Sequence, residues 1–176
     1  IGASGSAEEL ATVTVSASGG ATATLTGITA DTTDSATDLA MTINATATGS
    51  SSIVELDSIT NTFGTITLNT SGAGTVRATT GTATLRADDI TINIAAGGGT
   101  YDVINATDDI VITAANTAAL TFSSLDSGST TAGTISITAT GSAALEISDV
   151  VTSAGAMTIS GADATGAIRL LSANDY

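Results

Sequence analysis

The 176-residue chain contains no proline, cysteine, histidine, tryptophan or lysine. Without cysteine or histidine it cannot build thiolate or imidazole metal sites, nor the Ser-His-Asp and Cys-His groupings of hydrolases. Its only cationic side chains are Arg77, Arg86 and Arg169, and its 17 acidic residues give a net charge of −14. Nucleic acid binding requires a basic surface that replaces counterions, so we predict no nucleic acid partner.

Long apolar runs are also missing. No run approaches the roughly 20 residues that a helix needs to cross a bilayer, so we predict no transmembrane segment. The chain begins at Ile1 and shows no basic, apolar signal segment, so we expect a mature form or a piece of a larger protein.

Aromatic residues make up only 2% of the chain, although 42% of it is hydrophobic. A core must therefore consist of Ile, Val, Leu and Ala side chains with Thr methyl groups. Val, Ile and Thr favour strands. The length suffices for one domain with a core of its own. Low-complexity acidic chains can be disordered, but branched aliphatic residues placed with period two argue for folded strands.

One stretch of sequence repeats in shape at a distance of 91 residues. The segment LEISDVVTSAGAMTI (145–159) can be laid without a gap on VELDSITNTFGTITL (54–68). The two share few letters but the same pattern of sizes, with alternating apolar residues at each end and small polar residues between. This pattern predicts a strand, a corner and a second strand in each copy, as in stacked repeat units.

Two shorter signatures recur along the chain. The first is Gly, then Thr or Ala, then two apolar residues separated by one position, as in GTITL at Gly64 and GTISI at Gly133. Glycine here suits a corner that requires a close backbone approach. The second has apolar residues at positions one, three and six, as in 54–59, 120–125, 145–150 and, more weakly, 23–28.

We predict from these repeats an all-β fold: a parallel β-solenoid, in the form of a right-handed β-helix, with coils of about 20–25 residues. The alternative is a β-sandwich, since many short strands at regular spacing also suit that fold. Register kept over 91 residues and the lack of Asn-Gly or Asp-Gly hairpin turns favour the solenoid. We expect residues 1–52 to form an N-terminal cap or irregular β coils, and residues 53–176 to form the solenoid repeat region.

The run GTATLRADDITINIAAGG (81–98) resembles the repeat regions of bacterial cell-surface β-solenoid proteins. Filamentous-haemagglutinin-like exoproteins are one such group, and the Thr-, Ala-, Gly- and Ser-rich composition is similar to that of bacterial S-layer proteins. The resemblance covers about residues 53–171 and implies an extracellular or cell-surface location. The calcium-binding nonapeptide of RTX proteins is not present, so their calcium sites are not transferred here.

Acidic pairs are the candidate metal ligands. Asp88-Asp89 and Asp108-Asp109 lie 20 residues apart, about one coil, so their carboxylates are expected to stack. A calcium ion between them would replace repulsion with coordination by oxygen. The alternative is a solvated corner, where Asp commonly begins a turn. The segment TADTTDSATD offers a second candidate cluster, formed by Asp31, Asp34 and Asp38.

The chain offers little for catalysis. Paired carboxylates can cleave glycosidic bonds, but the partners that related β-helix enzymes use, His and Lys, are lacking. We therefore predict that the protein is not an enzyme. We expect an extracellular structural protein, a self-assembling subunit or segment of a surface layer or surface filament. The alternative is an adhesin or carbohydrate-binding segment of a larger exoprotein, with cell-surface polysaccharide as its partner.

Overall fold

A computed structural model describes residues 12–30, 40–79, 84–115, 117–128, 133–148 and 151–171. These residues form 14 β-strands and no helix. The strands are β1 (Val13–Ser18), β2 (Thr22–Thr29), β3 (Ala40–Thr48), β4 (Ile53–Ser71), β5 (Thr75–Ala78), β6 (Thr84–Ile94), β7 (Gly97–Ala106), β8 (Ile110–Ala115), β9 (Thr117–Ser127), β10 (Ile135–Gly141), β11 (Ala144–Ile147), β12 (Val151–Ser153), β13 (Met157–Ala164) and β14 (Ile168–Leu170).

The strands stack as three columns, and each turn of the chain, here called a coil, adds one segment to a column. The first column runs through β1, β3, the end of β4, the end of β6, β8, β10 and β13. The second runs through β2, the start of β4, β5, β7, β9, β11 and β14. The third contains the ends of β2, β7 and β9, the middle of β4, the start of β6, and β12.

All of these pairings are parallel, which confirms the β-solenoid and contradicts the sandwich, whose sheets are antiparallel. Coil length also agrees with the expectation in most of the molecule: Ile90 pairs with Ile110, 20 residues on, and Leu120 pairs with Leu145, 25 residues on. The first step is longer. Val13 pairs with Ile43, because residues 31–39 belong to the same turn of the chain.

The 91-residue repeat corresponds to four coils. A row is here the set of residues at one position in successive coils. Val54 and Leu145 belong to one row, and Leu68 and Ile159 belong to another. The two rows read Val54, Val76, Gly99, Leu120 and Leu145, and Leu68, Ile92, Ile112, Ile137 and Ile159.

The second signature marks the corner between the second and third columns. Its sharp turn uses a left-handed backbone at Ser58, with φ of 51°. In the sixth coil this corner is one residue longer, so Val151 pairs with Leu125. The gapless overlay placed Val150 in that row, and this assignment is wrong because it ignored the extra corner residue; Val150 itself lies outside the described residues.

Strands from the first 52 residues use the same type of pairing as the rest. β1 pairs with β3, and both β2 and β3 pair with β4, in parallel throughout. The described part of this segment is therefore built from coils.

Inward-facing aliphatic residues form a dry core along the axis. Rows of isoleucine dominate the first column, for example Ile90, Ile110 and Ile135, each fully buried. Alternation along each strand places every second residue inside, and parallel pairing stacks like on like. At about 25 cal/mol per Å² of apolar area, such burial is the main favourable contribution to folding.

Two aromatic rings interrupt the aliphatic core at one level. Tyr101 and Phe122 occupy neighbouring coils of one row, with ring centroids 5.0 Å apart and planes 13° apart. Space for the tyrosine ring comes from Gly99, two residues earlier on the same strand. A Cβ atom at Gly99 would lie 2.8 Å from Cε2 of Tyr101 and 2.7 Å from the carbonyl oxygen of Val76. GTYDV is therefore not a corner like the other glycine phrases; its glycine lies inside β7.

The Tyr101 hydroxyl is buried without a hydrogen-bond partner. Burial raises the pKa of Tyr101 well above its ordinary value, and the nearby Thr70 side chain opposes this rise only in part. The Thr70 contact does not meet hydrogen-bond geometry, so the hydroxyl remains unsatisfied. An unsatisfied buried hydroxyl reduces stability.

We predict that Tyr101→Phe increases the free energy of unfolding by about 1 kcal/mol at neutral pH, because it removes that penalty and keeps the ring stack. The advantage should grow above pH 10, where the unfolded tyrosine loses its proton while the folded tyrosine keeps it. Urea denaturation at pH 7 and pH 11 measures both effects. Tyr101→Leu is the control and should lower stability, because it loses ring packing; a less stable Tyr101→Phe would contradict the prediction.

Candidate functional site

The structure places the Asp88-Asp89 and Asp108-Asp109 pairs one coil apart, as expected, at the corner that leads into the first column. The backbone N–H of Asp108 donates to the carbonyl of Asp88 at 2.9 Å. The carboxylates are engaged as well. Oδ1 of Asp89 accepts the backbone N–H of Asp109 at 3.0 Å.

The same motif recurs one coil further along. Oδ1 of Asp109 accepts both the backbone N–H of Thr134, at 2.7 Å, and its hydroxyl, at 2.8 Å. Each of these aspartates therefore caps the first residues of the strand in the following coil. Hydrogen bonds to a charged acceptor are about twice as strong as neutral ones, so the geometry favours a structural corner.

No group of three or more Asp or Glu residues that could hold a metal ion occurs within the described ranges. Asp31, Asp34 and Asp38 lie outside those ranges. Calcium binding by Asp88, Asp89, Asp108 and Asp109 accordingly remains a prediction.

Two cross-coil ion pairs lie on the outer face of the second column. Arg77 donates through Nε and Nη2 to Oε1 of Glu55, at 2.9 and 2.6 Å. Four coils on, Nη1 of Arg169 lies 4.0 Å from Oε2 of Glu146, and the arginine side chain is 64% exposed. Spacing reveals both pairs in the sequence, since each joins residues about one coil apart.

An open depression of about 250 Å³ lies beside the second of these pairs. Its floor consists of one row of alanines, Ala119, Ala144 and Ala167, whose small side chains leave the space. Glu146 and Arg169 supply charges at its edge. A neutral or zwitterionic polar ligand suits such a combination chemically.

Asparagine side chains form a hydrogen-bonded row on the outer face of the first column. Nδ2 of Asn69 donates to Oδ1 of Asn44, and Nδ2 of Asn93 donates to Oδ1 of Asn69, both at 3.0 Å. Sequence reasoning missed this row, although its spacing of 25 and 24 residues equals the coil length. Asp126 is similarly placed on the third column, where it accepts hydrogen bonds from Asn105 and Thr152.

Comparisons with protein families, with curated proteins and with solved structures found no match to this chain. The structure by itself supports the β-solenoid part of the resemblance to bacterial surface proteins. Within the described ranges, no helix has the length and hydropathy to span a membrane.

We predict that Asp109→Ala lowers the free energy of unfolding by about 1–2 kcal/mol, because two donors of Thr134 lose their acceptor. Asp109→Asn keeps an acceptor oxygen and should lose less. Chemical denaturation with and without calcium measures both variants.

The exposed neighbour provides the control, since Asp108→Ala should change stability by less than about 0.5 kcal/mol. A calcium-dependent gain in wild-type stability that both Asp109 variants abolish would contradict the purely structural role and establish a metal site at this corner.

Proposed function

We propose that the protein is an extracellular structural protein, a self-assembling β-solenoid subunit or segment of a surface layer or surface filament. The observation that carries the proposal is the state of the two ends of the coil. The strands of the last coil, β13 and β14, and of the first, β1 and β2, have a partner on one side only within the described residues. Unpaired parallel edges are templates for pairing with another chain.

Exposed apolar residues concentrate at one of these ends. Met157, Leu170 and Leu171 are 39%, 50% and 54% exposed, whereas their counterparts in preceding coils, such as Ile135 and Ile147, are buried. Covering this end with another coil would restore to these residues the environment that the rest of the core has.

The body of the solenoid supports a mechanical role. Continuous backbone pairing and dry aliphatic rows run the length of the described coils, reinforced outside by the asparagine row and the Glu55–Arg77 pair. Such a rod resists bending because every coil is bonded to both neighbours. Its acidic, lysine-free surface would limit nonspecific adhesion between rods.

Assembly of the purified chain tests the proposal. Sedimentation velocity and electron microscopy, with calcium and with a chelator, should show filaments or sheets. Assembly that requires calcium would support a role for the acidic sites, and assembly under both conditions would point to strand edges. Monodisperse particles under both conditions would overturn self-assembly.

The second candidate is an adhesin or carbohydrate-binding segment, favoured by the depression beside Glu146 and Arg169. If this candidate is correct, a monomeric chain should bind surface polysaccharide, and Ala144→Leu should weaken binding at least tenfold by filling the depression. Glycan-array binding with Ala23→Leu, a row equivalent far from the depression, as the control measures this. Equal binding by wild type and Ala144→Leu would remove the depression from consideration.

A further inference from the structure

The two ends of the solenoid offer edges of the same kind. Both expose parallel strands in the first and second columns: β13 and β14 at one end, β1 and β2 at the other. Because both ends belong to one continuous coil, the spacing between the two columns is set by the same cross-section. A partner that satisfies both edges at once must have this cross-section, and a second copy of the chain has it.

The inward rows end in apolar residues at both ends. The row of Ile159 begins at Val13, and the row of Leu170 begins at Leu25. A third row, which ends at Ile168, begins at Ala23. Continuing each row from one copy into the next would therefore place apolar residues on apolar residues, as in these rows within the chain: Ile43 on Val13, Leu56 on Leu25, and Val54 on Ala23.

Outward rows match as well. Ser160 ends the row that begins at Thr14, so hydroxyl would meet hydroxyl. Arg169 ends the row that begins at Thr24, and the hydroxyl of Thr24 is 3.5 Å from Oε2 of Glu55. A guanidinium in that place would approach a carboxylate of the neighbouring copy and would face no other cation.

Charge is sparse at the ends of this acidic molecule. The sequence has 17 acidic residues, yet residues 12–30 contain no charged side chain and residues 151–171 contain only Asp163 and Arg169. A net charge of −14 opposes the approach of two copies. Neutral end coils keep like charges out of the contact, whereas the flanks of the rod carry the acids.

We propose that the edge formed by β13 and β14 binds the edge formed by β1 and β2 of a second copy, so that the rows continue in register from chain to chain. Ile159 then meets Val13, Ile168 meets Ala23, and Leu170 meets Leu25. This inference rests on the proposed self-assembly and specifies its contact.

Head-to-tail pairing follows from the parallel ladder. Two identical ends brought together by a twofold axis would run antiparallel and break the row pattern. A head-to-tail contact is heterologous, and without ring closure it extends into a filament.

Chain terminators test the direction of the contact. Leu170→Asp places a charge on one edge, and Leu25→Asp places one on the other. Each variant alone should stay monomeric, since every contact would include a charged edge. Mixed one to one, they should give a dimer and nothing longer, because one intact edge remains on each. Sedimentation velocity resolves the species, and circular dichroism verifies folding.

Thr113→Asp is the matched control, since Thr113 is exposed on a flank in the middle of the rod, and it should assemble like wild type. If both terminator variants also assemble like wild type, the contact is lateral; the inference is then overturned while self-assembly stands. If one variant alone forms dimers, identical ends pair and the inference is again overturned. A monomeric wild-type chain would overturn both.

Cysteine cross-linking tests the register without disturbing the core. The chain has no cysteine, and Thr24 and Arg169 are both exposed. Paired Cα atoms of adjacent parallel strands lie about 4.8 Å apart, within the range that a disulfide bridges. Thr24→Cys combined with Arg169→Cys should therefore give a covalent ladder on oxidation, which reductant reverses. Thr24→Cys combined with Thr113→Cys should not; equal ladders from the two pairs, or none from the first, would overturn the register.

Discussion

In-register parallel pairing between coils is the constraint on which the rest of the structure depends. Once Ile90 is bonded beside Ile110, every neighbouring position in the two coils is fixed, because side chains alternate with a period of two. A slip of one residue would turn the aliphatic rows outward and the hydroxyl rows inward. Rows of like residues therefore persist over four coils even where the letters differ, as in 54–68 and 145–159.

The narrow core imposes a second constraint, on volume. Two aromatic rings fit only at one level, and there the chain gives up the side chain of Gly99 to admit Tyr101. The cost is a buried hydroxyl without a partner, which burial keeps protonated. Elsewhere Ile, Leu, Val and Ala suffice, which accounts for the low aromatic content of the chain.

Periodicity predicted the solenoid, its coil length and the corner at Ser58, because backbone pairing imposes one spacing on every row. It did not predict the longer corner before Val151, since an extra corner residue leaves the strand pattern on either side unchanged. Cross-coil partners were harder to foresee. Asn44, Asn69 and Asn93 are unremarkable in sequence until the coil length is known, and the acidic pairs were placed one coil apart without any indication that Thr134 occupies Asp109.

Neutral donors explain how so acidic a chain holds together with three arginines. Asp89, Asp109 and Asp126 are stabilised by backbone N–H, hydroxyl and amide groups of adjacent coils, so each carboxylate holds two coils together without a cation. A lattice of such bonds requires a following coil to supply donors. The acids therefore belong in the interior of the stack, where donors exist on both sides, and the end coils are left nearly free of charge. The same rule that stabilises the rod thus leaves its ends suited to contact with another copy.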